Sequence, residues 1–148
     1  MIYLEEYFMG RDKTHATELT DEIMENAVAL VDKINSLLQY AAADGVPING
    51  VASGWRPNGI NEATSNAAKH SKHLTAHGCD VKDIPSRAFA RWCLRNEDLL
   101  VEIGLWMEDP RWTPTWVHLQ DIPPGSGKRV YIPSTKPPLA DKLPEQRV

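Results

Sequence analysis

A chain of 148 residues with 42% hydrophobic and 24% charged content has the make-up of one globular domain, long enough to bury a core. Its net charge of −4 and pI near 5.7 argue against nucleic-acid binding through a basic surface. Two cysteines, Cys79 and Cys93, are too few for a disulfide framework.

The N-terminal run from Met1 to Met9 has neither a basic n-region nor an uninterrupted apolar h-region, so no signal peptide is expected. No stretch approaches the ~20 apolar residues of a bilayer span. From Thr20 to Gly45, Ile23, Ala27, Leu30, Val31, Ile34, Leu37, Leu38 and Ala41 recur at helical steps, which predicts an amphipathic helix. Thr20 is its N-cap, Asp21 and Glu22 fill the first turn, and Gly45 stops it. Ile48 to Ala52 is a β-prone run ending in Ser53-Gly54, and a weaker helical stretch is read over 59–68. Gly78 to Lys82 predicts a strand with Asp80 on one face and Cys79 and Val81 on the other. Pro85 and Ser86 open a helix running through Arg95, and helical character resumes from Glu97 to Ile103.

The C-terminal half reads as antiparallel, with strands at 105–108, 116–120 and 129–132 separated by Pro- and Gly-rich turns. Period-two alternation places Trp116, His118 and Gln120 on one face and Val117 and Leu119 on the other. Residues 1–132 form the single domain, and 133–148 form a Pro-rich C-terminal tail. The fold class is therefore α+β, a small, mainly antiparallel sheet with flanking helices.

Chemistry concentrates in three segments: Ser53-Gly54-Trp55-Arg56-Pro57, Ser71-Lys72-His73 followed by Asp80, and Trp116-Val117-His118. His73, Asp80 and His118 are candidate ligands of one zinc ion. Two imidazoles and a carboxylate leave zinc a further position, the arrangement of a hydrolytic rather than a structural site. Cys79 is read as a small buried hydrophobe, with a fourth zinc ligand as the lesser alternative.

Taken in order, these segments resemble the zinc D-Ala-D-Ala carboxypeptidase and L-alanyl-D-glutamate endopeptidase family (peptidase M15-like, phage endolysin type), over roughly residues 48–131. The resemblance implies a hedgehog/DD-peptidase-like fold and zinc-dependent hydrolysis of a peptide bond in peptidoglycan stem peptides. It also implies Arg56 as the residue that fixes and stabilises substrate charge, and Ser71 as a substrate-binding serine unless it serves only its own turn. In family order His70 and His77 are not ligands, and His15 is a surface residue. Two departures stand out. The family pattern S-x-H-x-x-G-x-A-x-D has Ala76 at its glycine and Gly78 at its alanine, and the acidic residue usual three before the last histidine is Thr115.

With Thr115 in that position, the general base must come from elsewhere. Asp121 follows the His118 strand with the wrong parity. Glu108 can lie level with His118 across a hairpin, whereas Asp109 precedes Pro110 in a turn-initiating pair; Glu108 is preferred and Asp109 kept open. Trp116 is expected to wall the cleft. The expected partner is a peptidoglycan peptide, with no nucleic acid and no membrane; the oligomeric state is open. The expected setting is a phage or prophage lysis enzyme, made in the cytoplasm without a signal peptide and acting on the wall after release or within a phage particle. The rival reading is a non-catalytic zinc-binding virion, tail or cell-wall-binding component of the same fold.

Overall fold

The apolar stripe between Thr20 and Gly45 becomes the longest element, α3 (Asp21–Ala43), in a computed structural model that describes residues 1–63, 71–133 and 137–138. Thr20 caps α3 by accepting from the Ile23 N–H at 3.1 Å. Ala27, Leu30, Val31, Ile34, Leu37, Leu38 and Ala41 are buried along one face, in a common core with Val81, Val117 and Leu119. Each large apolar side chain buried this way contributes roughly 1.5–3 kcal/mol, so packing rather than propensity holds the helix.

The core faces a five-stranded sheet in the order β1 (Val51–Ser53), β2 (Gly78–Lys82), β4 (Trp116–Gln120), β3 (Trp106–Glu108), β5 (Val130–Tyr131). β1 pairs antiparallel with β2, β2 with β4, and β4 with β3. β5 lies parallel to β3, which corrects the expectation of an antiparallel C-terminal half and makes the sheet mixed. The reason lies in the connection. The chain leaves β4 beside the start of β3, where Gln120 faces Trp106, and crosses to the far side of β3 instead of pairing with its nearest neighbour. A strand entering there runs opposite to β4 and therefore along β3.

Among the described residues, five shorter helices accompany α3: α1 (Leu4–Phe8), α2 (Arg11–Thr14), α4 (Asn58–Ala63), α5 (Ala88–Arg95) and α6 (Glu97–Ile103). α1 has no counterpart in the sequence reading, yet it buries Tyr7 and Phe8, and Ile2 before it is buried too. α4 covers the first part of the helix read over 59–68; residues 64–70, including His70, lie outside the described residues. α5 starts three residues later than Pro85 suggests. Arg87 adopts a left-handed φ of 61°, and the Asp83 carboxylate accepts from the Phe89 and Ala90 N–H groups at 3.1 and 3.0 Å, so Asp83 sets the helix start. Beyond Pro133 the expected tail lies outside the described residues except for Pro137 and Pro138. Among the described residues no helix is long and apolar enough to cross a membrane.

Strand parity divides the sheet into two chemically distinct faces. Cys79, Val81, Met107, Val117 and Leu119 are fully buried on the core side. Asp80, His118 and Gln120 alternate with them on the other.

A candidate metal centre

β2 and β4 bring Asp80 and His118 directly opposite each other in the ladder. His73 reaches them from a 3₁₀ turn (Lys72–Thr75) that immediately precedes β2. The His73 Nε2 atom lies 3.2 Å from Asp80 Oδ1, and His118 Nδ1 lies 2.8 Å from the same oxygen. All three side chains are buried, and their ligand atoms fall within 4.8 Å of one another. Tetrahedral zinc, with bonds of ~2.0–2.1 Å, needs donor atoms roughly 3.3 Å apart. This group can hold a metal ion.

Hydrogen-bond accounting supplies the test of fit. His73 Nδ1 lies 2.7 Å from the carbonyl oxygen of Gly54, which can only accept, so Nδ1 carries the proton. Nε2 then has a bare lone pair. It is buried without a hydrogen-bond donor, and the carboxylate oxygen it faces is an acceptor too. Two acceptors held at contact distance away from water repel each other, and a cation between them removes the conflict. Burial alone pushes the Asp80 carboxyl up, but positive charge on the imidazoles beside it outweighs burial and holds it well below the usual carboxylate range, an effect that a cation in the same place would also have. Burial lowers the His73 value, which keeps its ring neutral as a ligand must be. His118 is raised: burial opposes its charge, but the Asp80 carboxylate beside Nδ1 prevails and favours a positive charge at that nitrogen, a proton or, in its place, a metal cation.

Gly54 is required where it stands, because a Cβ there would run into the backbone carbonyl of Tyr7 in α1. The close approach of these two backbones places the Gly54 carbonyl under His73. Trp55 is almost fully buried, stacks edge-on against Phe8 at 6.0 Å, and donates from Nε1 to the Leu74 carbonyl at 3.1 Å. Its role is to clamp the turn that bears His73. Arg56 is buried, with Nε on Ser53 Oγ and Nη1 on Asn61 Oδ1, both at 3.2 Å. Its Nη2 lies 3.6 Å from Asp80 Oδ2, on the carboxylate edge away from the imidazoles.

Ala76 and Gly78 meet different local demands. Ala76 ends the 3₁₀ turn with φ 60° and ψ 34°, the left-handed conformation that a glycine adopts freely and an L-residue resists by about 1–2 kcal/mol. At Gly78 a Cβ would come within 3.1 Å of His118 Cε1, so the missing side chain makes room for the ring.

Of the remaining sequence candidates, Glu108 ends β3 one residue beyond Met107, which lies opposite Leu119, so strand parity puts it on the His118 side of the sheet. Glu108 also lies near enough to raise both His118 and Tyr131 through its charge. Asp109 is turned to other work. It caps the following 3₁₀ turn, accepting from the Arg111 backbone N–H at 3.0 Å and from its guanidinium at 3.1 and 2.9 Å. Trp116 begins β4 opposite Lys82, two residues and therefore about 7 Å along the strand from His118. The Ser71 hydroxyl accepts from the His73 N–H at 3.2 Å, the turn role of the two weighed for it. Thr115 is exposed. His77 lies outside the ligand group, with Nδ1 2.8 Å from Asp121. Cys79 is fully buried on the core face, its thiol pushed well up by burial, and does not join the ligand group.

Four contributors carry no motif in the sequence: the Gly54 carbonyl, Asn61, and Gln120 and Tyr131 behind His118. Only Gln120 carried a signal, since it lies two residues beyond His118 on the same strand face. Comparisons with family models, with curated proteins and with solved structures return no match for this chain.

Proposed function

We propose that this protein is a zinc peptidase that hydrolyses a peptide bond in peptidoglycan stem peptides, in the manner of a phage or prophage lysis enzyme. The observation that carries the reading is the bare, buried Nε2 of His73 facing the Asp80 carboxylate with no donor between them. The ordered resemblance of the Arg56, His73–Asp80 and His118 segments to the peptidoglycan peptidases supplies the substrate class. A zinc ion at such a centre supplies Lewis acidity toward a carbonyl and lowers the pKa of water.

The chain's own residues divide the remaining work. His73, Asp80 and His118 are the ligands. Glu108, on the His118 side of the sheet by strand parity, takes a proton from the attacking water and passes it to the departing amine. Arg56 holds Asp80 from its outer edge and places a fixed positive charge beside the carbonyl oxygen as charge develops there. Trp116 lies along the same face as a wall for the peptide.

Digestion of purified peptidoglycan with and without a chelator, with mass analysis of the fragments, tests this reading. Chelator-sensitive release of fragments cut at one peptide bond is expected. The exposed Thr115 in place of the usual acid favours one rival, a zinc-binding component without turnover. Metal-replete protein that binds peptidoglycan and leaves it intact would establish that rival.

A further inference from the structure

His118 approaches the centre through Nδ1, and its other nitrogen determines whether that is possible. Nε2 lies 2.9 Å from Gln120 Oε1. An amide can be turned either way, but here its orientation is forced. Gln120 Nε2 donates to the Ile122 carbonyl at 2.9 Å, and a flipped amide would set its oxygen against that carbonyl, acceptor on acceptor. With the amide nitrogen committed to Ile122, Oε1 faces inward and accepts from Tyr131 Oη–H at 2.7 Å as well as from His118. Tyr131 is held in turn by β5, with its ring edge-on to His118 at 6.5 Å.

We propose that Gln120 and Tyr131 are positioning residues that fix the proton of His118 on Nε2 and so keep the Nδ1 lone pair aimed at the metal. The inference rests on the metal-centre reading above. A ligating imidazole needs one bare nitrogen, and the hydrogen bond at the other decides which one is bare. The same logic operates at His73 with the Gly54 carbonyl, so each histidine has an acceptor behind it. The two differ in kind. Gly54 is backbone and cannot be mutated away, whereas the acceptor behind His118 is a side chain oriented by two others. The parallel strand β5 thereby acquires a purpose: it delivers the phenol that, with Ile122, locks the amide.

The test is zinc affinity by competition with a chromophoric chelator, on the full chain, for the unaltered protein and for Gln120→Met, Gln120→Glu and Tyr131→Phe. Gln120→Met keeps the length and removes the acceptor; zinc binding about 10–100-fold weaker is expected. Gln120→Glu restores an acceptor for Nε2–H and should bind zinc more tightly than Gln120→Met. Tyr131→Phe should fall between Gln120→Met and the unaltered chain. A merely structural glutamine would give the opposite order, because a buried carboxylate facing the Ile122 carbonyl disturbs packing more than methionine does. Nitrogen-15 spectra of the zinc-loaded chain, with labelled histidine, should show His118 protonated at Nε2, and Gln120→Met should weaken that signature. Equal affinities in all four proteins, or a Met variant that outbinds the Glu variant, would overturn the proposal while leaving the metal centre intact. No zinc binding by the unaltered chain would overturn both.

Discussion

Asp80 and Asp83 stand three residues apart, and both are buried carboxylates beside arginine, yet they are surrounded in opposite ways. Asp83 Oδ1 accepts from the Ile84 and Phe89 N–H groups, and its Oδ2 accepts from the Ala90 N–H and from Arg87 Nε. Every direction in which that carboxylate can accept is filled by a donor. Arg87 goes on to the Pro110 and Trp116 carbonyls at 3.3 and 2.7 Å, so the pair ties the start of α5 to the loop before β4. Asp80 instead faces an imidazole nitrogen that, by its own hydrogen bonding, has no proton to give. One carboxylate completes the fold, and the other belongs to a group that can hold a metal ion. Counting donors around a buried acid separates structure from chemistry where burial and charge do not.

Substitution should expose that difference at once. Asp83→Ala leaves Arg87 buried without its partner and α5 without its cap, so a loss of about 3–5 kcal/mol is expected in chemical denaturation. Zinc bound per folded chain should stay unchanged. Asp80→Asn should do the reverse, retaining far-UV circular dichroism and cooperative unfolding while zinc content in metal analysis falls sharply. Near-equal stability losses in the two variants would erase the distinction drawn between them.

Treatment with a chelator tests the same contrast without mutation. The core of α3 and the sheet is continuous and contains none of the three ligands, so the chain does not need the ion to fold in the way a zinc finger does. Chelated protein should keep its far-UV spectrum and lose some thermal stability along with any hydrolytic activity. Global unfolding on chelation would make the centre structural and Asp80 a folding residue like Asp83.

The sequence was legible wherever the deciding interaction was local or periodic. The stripe from Ile23 to Ala41, the Thr20 cap, and the alternation that set His118 apart from Val117 and Leu119 all lie within a few residues of one another. What it did not disclose depended on distant backbone. α1 is five residues long, and its helix holds because Tyr7 and Phe8 find the core, which no local pattern announces. The parallel pairing of β5 follows from a crossover, and strand parity says nothing about which neighbour a strand will choose. Gly54 reads as an ordinary turn glycine until Tyr7 is found against it. In the site, residue types and order pointed to His73, Asp80 and His118, while the acceptors that set their tautomers come from elsewhere in space. Ser71 suits two roles in the sequence, because a hydroxyl beside a turn can serve substrate or its own backbone, and only the folded chain shows its bond to the His73 N–H.

Glu108 and Asp109 offer a second pair of neighbouring carboxylates, with a smaller expected effect. Glu108→Gln keeps shape and hydrogen-bonding capacity but cannot take a proton from water. Turnover of a peptidoglycan peptide should fall by ~10²-fold or more with zinc content and fold preserved. A rate within a few-fold of the unaltered protein would remove Glu108 from the mechanism and return attention to binding without turnover.

Asp109→Asn should have the smallest consequence, because its carboxylate already has a local occupation. Asparagine can still accept from the Arg111 N–H and cap the turn, so only the charge opposite the guanidinium is lost. Burial works to raise the Asp109 carboxyl, but its hydrogen bonds from Arg111 prevail and leave it below the ordinary carboxylate value. A group depressed on folding contributes stability above its unfolded value and loses it as pH falls through the folded one. The Asn variant should therefore melt slightly lower than the unaltered protein at neutral pH, and the gap should close in acid. Its rate on peptidoglycan peptide should be nearly unchanged. Should Asp109→Asn abolish turnover while Glu108→Gln alters only melting, the β3–β4 pairing would be one residue out of register at its end. Asp109, rather than Glu108, would then face His118.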